Sequence, residues 1–290
     1  MLRRSFAALP ALLLACAGHA PRARRGWAAR HAAHVTQLRE RGPAPAKWQP
    51  QPVPDGVREL RYRSAGRELL AWYAAPPGAT GCPGLVYFHG EFSFAAWDFA
   101  QVRPFLAAGY AVLTPSLRGE NGNPGDFELL HGEVDDAVAA VRTLAGMPEV
   151  DARKLYSLGH SVGGGLSALL ALVPELPLVA TASVGGIYST RTFLNWSRFA
   201  DTRPLVRFDP SRRDEVELRV LGPNLADMCR PHRAYVGRED AGILANARAL
   251  AAAAGDAPFS LREIAGDHAA SLQPGVRAYL DDLSRGTVTG

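Results

Sequence analysis

The feature that most constrains this chain is a regular alternation of short apolar runs with helical stretches from Val57 onward. Gly84–Phe88 (GLVYF), Tyr110–Thr114 (YAVLT), Lys154–Leu158, Leu178–Ser183, His232–Val236 and Phe259–Ile264 read as strands. Runs that are apolar at successive positions, rather than at every second one, belong to strands covered on both faces. Between them, Trp97–Ala108, Leu129–Leu144, Val162–Val173, Ala241–Ala254 and Leu272–Leu283 have helical spacing. Strands separated by helices pair in parallel, because the crossover helix returns the chain to the same end of the sheet. Two alternating stretches, Val57–Arg63 and Leu69–Ala74, joined at Ser64-Ala65-Gly66, predict an antiparallel pair at one edge. The expectation is a single α/β domain over residues 55–290, with a mostly parallel sheet of eight strands and helices on both faces.

One interval departs from this rhythm. Residues 185–229 separate two strands by far more chain than one helix needs, and they carry Phe193, Trp196, Phe199 and Phe208 among many arginines. Insertions at the carboxyl ends of parallel strands overhang the site that forms there, so this one is expected to act as a lid.

The amino-terminal stretch reads differently. Met1-Leu2-Arg3-Arg4 followed by an apolar run from Phe6 to Ala17, too short to span a bilayer, predicts an export signal over residues 1–20. Leu13-Leu14-Ala15-Cys16 resembles a bacterial lipobox, which makes Cys16 a candidate for lipidation and the one expected link to a membrane; ordinary cleavage after a small-x-small site is the alternative. Residues 21–54, rich in Ala, Arg and Pro, predict a linker with one short helix near Trp27–Arg39.

Five arginines (Arg3, Arg4, Arg22, Arg24, Arg25) lie in or just beyond this leader, and without them the net charge of +4 becomes about −1. No Lys/Arg patch with interleaved aromatics appears, so nucleic acid is not an expected partner. Cys82 and Cys229 precede strands about three positions apart, roughly 14 Å at the usual strand spacing. A disulfide needs Cα atoms within about 7 Å, so two free thiols are expected.

Where the strand at Lys154–Leu158 ends, the chain reads Gly159-His160-Ser161-Val162-Gly163 and then a small-residue helix. G-x-S-x-G between a strand and a helix is the pattern of a tight turn that pushes its serine outward at a helix amino terminus, where N–H groups favour developing negative charge. A serine hydroxyl is a weak nucleophile and needs a base, itself oriented by an acid. Both follow in the required order, each after a strand. Gly237-Arg238-Glu239-Asp240 offers Asp240, ahead of Glu239, as the acid, and Gly266-Asp267-His268 offers His268 as the base, with Asp267 a third choice for the acid. The oxyanion of an acyl-transfer intermediate needs two donors. Candidates are the N–H of Val162 and, from Phe88-His89-Gly90-Glu91, that of Glu91 or its neighbour Phe92. No histidine spacing resembles a zinc site, and no metal or cofactor is expected.

In these residues the chain resembles the α/β-hydrolase superfamily from about Val57 to Leu283. The segment SLRGENGNPGDFELLHGEVDDAVAAVRTL, with VDARKLYSLGHSVGG after it, is similar to the catalytic domains of prolyl-oligopeptidase-type serine peptidases and of dienelactone-hydrolase-like proteins. That resemblance implies the α/β-hydrolase fold, structural roles for Arg118-Gly119 and Asp135-Asp136, and a catalytic triad of Ser161, Asp240 and His268. Such peptidases carry an amino-terminal β-propeller that screens substrates, which the residues ahead of Val57 are too few to build. The sequence therefore predicts an exported serine hydrolase acting on a small-molecule ester or a peptide through an acyl-enzyme, with esters slightly favoured. A non-catalytic relative that binds a ligand or partner is the alternative.

Overall fold

The computed structural model describes residues 26–288, so the leader over 1–20 and Cys16 lie outside the described residues. Strands β1 (Arg58–Ser64), β2 (Arg67–Ala74), β3 (Cys82–Phe88), β4 (Ala111–Pro115), β5 (Val150–His160), β6 (Ala180–Val184), β7 (His232–Gly237) and β8 (Phe259–Ile264) form one sheet in the order β1-β2-β4-β3-β5-β6-β7-β8. The β1–β2 and β2–β4 pairs are antiparallel and the rest parallel, as the sequence predicts. After β3 the chain turns to one side for β4 and to the other for β5. This reversal places the carboxyl ends of β3 and β5 side by side, at the switch point where open α/β sheets hold their ligands.

The helices in chain order are α1 (Trp27–Ala33), α2 (Ala96–Gln101), α3 (Arg103–Ala107), α4 (Gly132–Ala145), α5 (Ser161–Leu169), α6 (Arg191–Trp196), α7 (Arg213–Glu217), α8 (Ala241–Ala253) and α9 (Leu272–Ser284). Side chains alternate across a strand, and this divides the core in two. Val86 and Phe88 of β3 enter the core beneath α4, α5 and α8, while Leu85 and Tyr87 enter the one beneath α2, α3 and α9. All four are buried, each contributing roughly 1.5–3 kcal/mol. An apolar residue is thus required at every position, which is why GLVYF shows no polar alternation.

Two expectations need correction. The single helix predicted over Trp97–Ala108 is two, α2 and α3, broken at Val102, because Pro104 has no N–H to donate and sits instead in the first turn of a new helix. The predicted linker is, over residues 26–46, a strap bound to the domain. Trp27 is buried, its indole donating to the Leu218 carbonyl at 3.1 Å and its N–H to Asp227 at 2.8 Å. Farther along, Thr36 and the N–H of Gln37 donate to the Glu215 carboxylate at 2.8 and 2.9 Å, and the N–H of Ala44 to the Gly119 carbonyl at 2.9 Å. Alanine-rich composition hid a segment whose few large residues anchor it.

The insertion over 185–229 is correspondingly packed. Phe193 and Phe208 are core residues. Arg219, fully buried, donates to the carbonyl and carboxylate of Glu215, to the Glu128 carbonyl and to Thr36, and lies 3.9 Å from the ring centre of Phe208. Cys82, at the start of β3, and Cys229, just ahead of β7, are both free, and β5 and β6 lie between those strands.

Arg118 and Asp136 fasten the loop after β4 to α4. The Arg118 guanidinium donates two bonds to Asp136, at 2.8 and 2.9 Å, its backbone N–H a third at 3.0 Å, and Ser64 a fourth at 2.6 Å. Asp136 is fully buried, whereas Asp135 lies at the surface 3.9 Å from the guanidinium. Removing one member of a buried pair strands the other charge. Asp136→Ala is therefore expected to lose about 3–5 kcal/mol in chemical denaturation, and a loss under 1 kcal/mol would show the pair to be dispensable.

Candidate active site

β5 runs through His160 and α5 begins at Ser161, with no residue between. To make this turn, Ser161 takes φ +53°, a left-handed conformation costing an L residue roughly 1–2 kcal/mol. Gly159 and Gly163 have ordinary φ; what they supply is room. A Cβ on Gly163 would land on the carbonyl oxygens of Phe88 and His89, and one on Gly159 on the Gly163 carbonyl. The helix can therefore start only if it presses against the end of β3, which leaves the serine hydroxyl pointing out.

The hydroxyl meets His268. Ser161 Oγ lies 3.0 Å from Nε2, and Nδ1 lies 2.6 Å from Asp240 Oδ2. Asp240 is also the amino-terminal cap of α8, its Oδ1 accepting from the Ile243 N–H at 3.4 Å, so both oxygens are oriented. The loops carrying acid and histidine are stitched together by the Arg238 N–H to the Ile264 carbonyl at 2.9 Å and the Glu239 N–H to the Gly266 carbonyl at 3.2 Å. Glu239 itself faces solvent, and Asp267 caps the N–H groups of Ala269 and Ala270 at 3.0 and 2.8 Å. Of the three acids considered, Asp240 is the one that meets the histidine.

Two further histidines brace this arrangement, and neither role is visible in the sequence. His160 Nε2 donates to the His268 carbonyl at 3.1 Å, with the two rings 5.2 Å apart. Burial holds its pKa below the usual value, so it stays neutral beside His268. Gly90 packs on its other side, where a Cβ would stand 2.8 Å from Nδ1. His89, buried, has Nδ1 2.8 Å from the Gly90 carbonyl and Nε2 3.2 Å from the Glu120 carboxylate. Both partners only accept, so both ring nitrogens must donate and the ring is an imidazolium. Burial opposes the charge, but Glu120, Asp98 and the Gly90 carbonyl outweigh it and raise the pKa to about 9. A partner 3.2 Å away in space but 31 positions along the chain leaves no local signal.

Val162 is the second residue of α5, so helix geometry gives its N–H no partner within the helix. Glu91, at φ +58°, turns the chain sharply after Gly90. Glu91, Phe92 and Val162 all border one small cavity at the head of α5. Among the described residues no group of three or more His, Cys, Asp or Glu is placed to hold a metal ion, and no helix is long and apolar enough to cross a membrane.

A family model described as the alpha/beta hydrolase family matches residues 85–286, which include all of β3 beyond its first residues and everything through α9. The chain belongs to the alpha/beta hydrolase family. It is 27% identical over 131 residues to an uncharacterized peptidase, YtmA, of Bacillus subtilis, covering 43% of this chain and 49% of that one. Among solved structures, an acylaminoacyl peptidase of Pyrococcus horikoshii superposes with a TM-score of 0.64 at 18% identity, over 79% of this chain and 40% of the peptidase. An esterase of Pyrococcus furiosus superposes with a TM-score of 0.66 at 16% identity, over 87% of this chain and 99% of the esterase. The chain spans about half the length of the curated relatives it matches. At these identities the solved structures speak for the fold alone.

The His89–Glu120 contact makes stability depend on pH in a defined direction. A histidine whose folded pKa is raised contributes stability that is complete below about pH 6.5 and is lost as pH rises through about 9. Urea denaturation is expected to show the unfolding free energy falling across that window, and His89→Gln is expected to flatten the fall. An unchanged slope in the variant would place the titration elsewhere.

Proposed function

We propose that this member of the family is a serine hydrolase that cleaves a carboxylic ester, or a peptide or other amide, through an acyl-enzyme. One observation carries the reading: the unbroken contact chain Ser161 Oγ, His268 Nε2, His268 Nδ1, Asp240 Oδ2, at 3.0 and 2.6 Å. In this reading Ser161 Oγ bonds to the carbonyl carbon as its proton passes to His268 Nε2, and the carbonyl π pair moves onto oxygen. The N–H groups of Val162 and Glu91 receive that oxyanion. On collapse the bond to the leaving group breaks, and His268 gives its proton to the departing alkoxide or amine. Water then repeats the sequence on the acyl-enzyme, releasing the acid and restoring Ser161. Asp240 keeps Nδ1 protonated throughout and stabilises the imidazolium.

Esters are expected to react faster than amides, since an alkoxide or phenoxide leaves more readily than an amine. The insertion over 185–229, whose first residue Gly185 abuts the His268 ring, is proposed to border the entrance. Export is proposed as well, on the basic and apolar pattern of residues 1–20, with Cys16 as the lipid attachment point. Metabolic labelling with a tagged fatty acid is expected to mark the wild type and not Cys16→Ala; equal labelling would remove that assignment.

A fluorophosphonate probe is expected to label the wild type and leave Ser161→Ala unlabelled. Against p-nitrophenyl esters, Ser161→Ala is expected to lose roughly 10⁴-fold or more in kcat and Asp240→Asn roughly 10³–10⁴-fold. A wild type that neither labels nor hydrolyses any ester or amide, yet binds a ligand, would favour the non-catalytic reading.

A further inference from the structure

The cavity at the head of α5 is walled by Phe92, Leu117, Phe127, Leu130 and Leu166, and Glu91 and Val162 also border it. Resting on the serine-hydrolase reading above, we propose that it is the acyl-side subsite and that it takes a short, uncharged acyl group, acetyl or propionyl.

Three observations support this. The first is direction. If the carbonyl oxygen lies between the N–H groups of Glu91 and Val162, its carbon has two further substituents. The leaving group must lie on the His268 side, because His268 protonates it. No residue of the His268 or Asp240 loops borders the cavity, so the cavity receives the other substituent, the acyl group.

The second is size. The volume open to the centre of a water-sized sphere is about 20 Å³, against roughly 10–15 Å³ for one water by the same measure. A methyl group fits, an ethyl group fills the space, and a longer chain must displace packed rings.

The third is charge. Three glutamates border the cavity, Glu91, Glu120 and Glu133, and the two buried ones are already engaged. Glu120 accepts from His89 and from the Leu117 N–H at 2.8 Å, and Glu133 accepts from the N–H groups of Glu128 and His131 at 2.7 and 3.2 Å. Burial raises the Glu133 pKa to about 7. The one cation among the described residues at the cavity, His89, has both ring N–H groups taken by the Gly90 carbonyl and Glu120. An acyl group ending in its own carboxylate would meet these glutamates with no free donor, so a succinyl ester is expected to be a poor substrate.

The test is a series of p-nitrophenyl esters with one leaving group and acyl chains from acetyl to octanoyl, run beside fluorophosphonate labelling. The wild type is expected to show its highest kcat/KM on acetate or propionate, with at least about a tenfold fall by hexanoate. Phe92→Ala truncates a half-buried loop residue and Leu117→Ala a buried one; each is expected to shift the optimum to a longer chain while labelling persists. A wild type that labels but works best on hexanoate or octanoate would overturn this inference and leave the serine hydrolase standing. So would two folded, labelled variants with the wild-type chain-length profile. A wild type that neither labels nor cleaves any ester would remove both readings.

Discussion

Everything at the site depends on Ser161 being held in a left-handed turn that it would not choose alone. The cost of φ +53° is offset because α5 can pack only where Gly159 and Gly163 let its first turn touch the ends of β5 and β3. That contact does two things at once. It turns the serine hydroxyl away from the sheet, and it brings the first N–H groups of α5 beside the loop that leaves β3. The Ser161 hydroxyl and the surroundings it meets are set by one packing event.

The partners arrive by sheet order. β5 lies beside β3, while β7 and β8 lie beyond β6, so Asp240 and His268 reach Ser161 from strands farther along the same edge. Their loops are cross-linked through backbone hydrogen bonds, and His160, the residue just before the serine, grips the carbonyl of His268. The turn at Ser161 therefore positions the histidine that meets it. On the other side the His89–Glu120 contact holds the loop after β3, so both flanks of Ser161 are fixed by buried histidines in opposite protonation states, one neutral and one charged.

Much of this is legible in the sequence, for identifiable reasons. The strands show because burial on both faces demands apolar residues at every position, as in GLVYF. The turn at Ser161 shows because close backbone approach tolerates only glycine at Gly159 and Gly163. The order of Ser161, Asp240 and His268 follows from strands that all point the same way. What stays hidden depends on long-range partners. Pro104 is compatible with either a kinked helix or two helices, and in the fold it opens the second, with both packed on α9. The strap over 26–46 looks like a linker because its anchors, Trp27 and Thr36, are satisfied by residues nearly two hundred positions away. His160 and His89 read as bystanders for the same reason.

Membership of the alpha/beta hydrolase family fixes the scaffold, and the contact chain from Ser161 to Asp240 suggests what the scaffold does. The central claim is that Ser161 becomes covalently acylated. Rapid acid quench of the enzyme during turnover of p-nitrophenyl acetate, followed by peptide mass spectrometry, tests it most directly. The account predicts an acetyl group on the peptide containing Ser161, at that side chain. Turnover with Ser161 unmodified, or with the acetyl group carried by another residue, would contradict it.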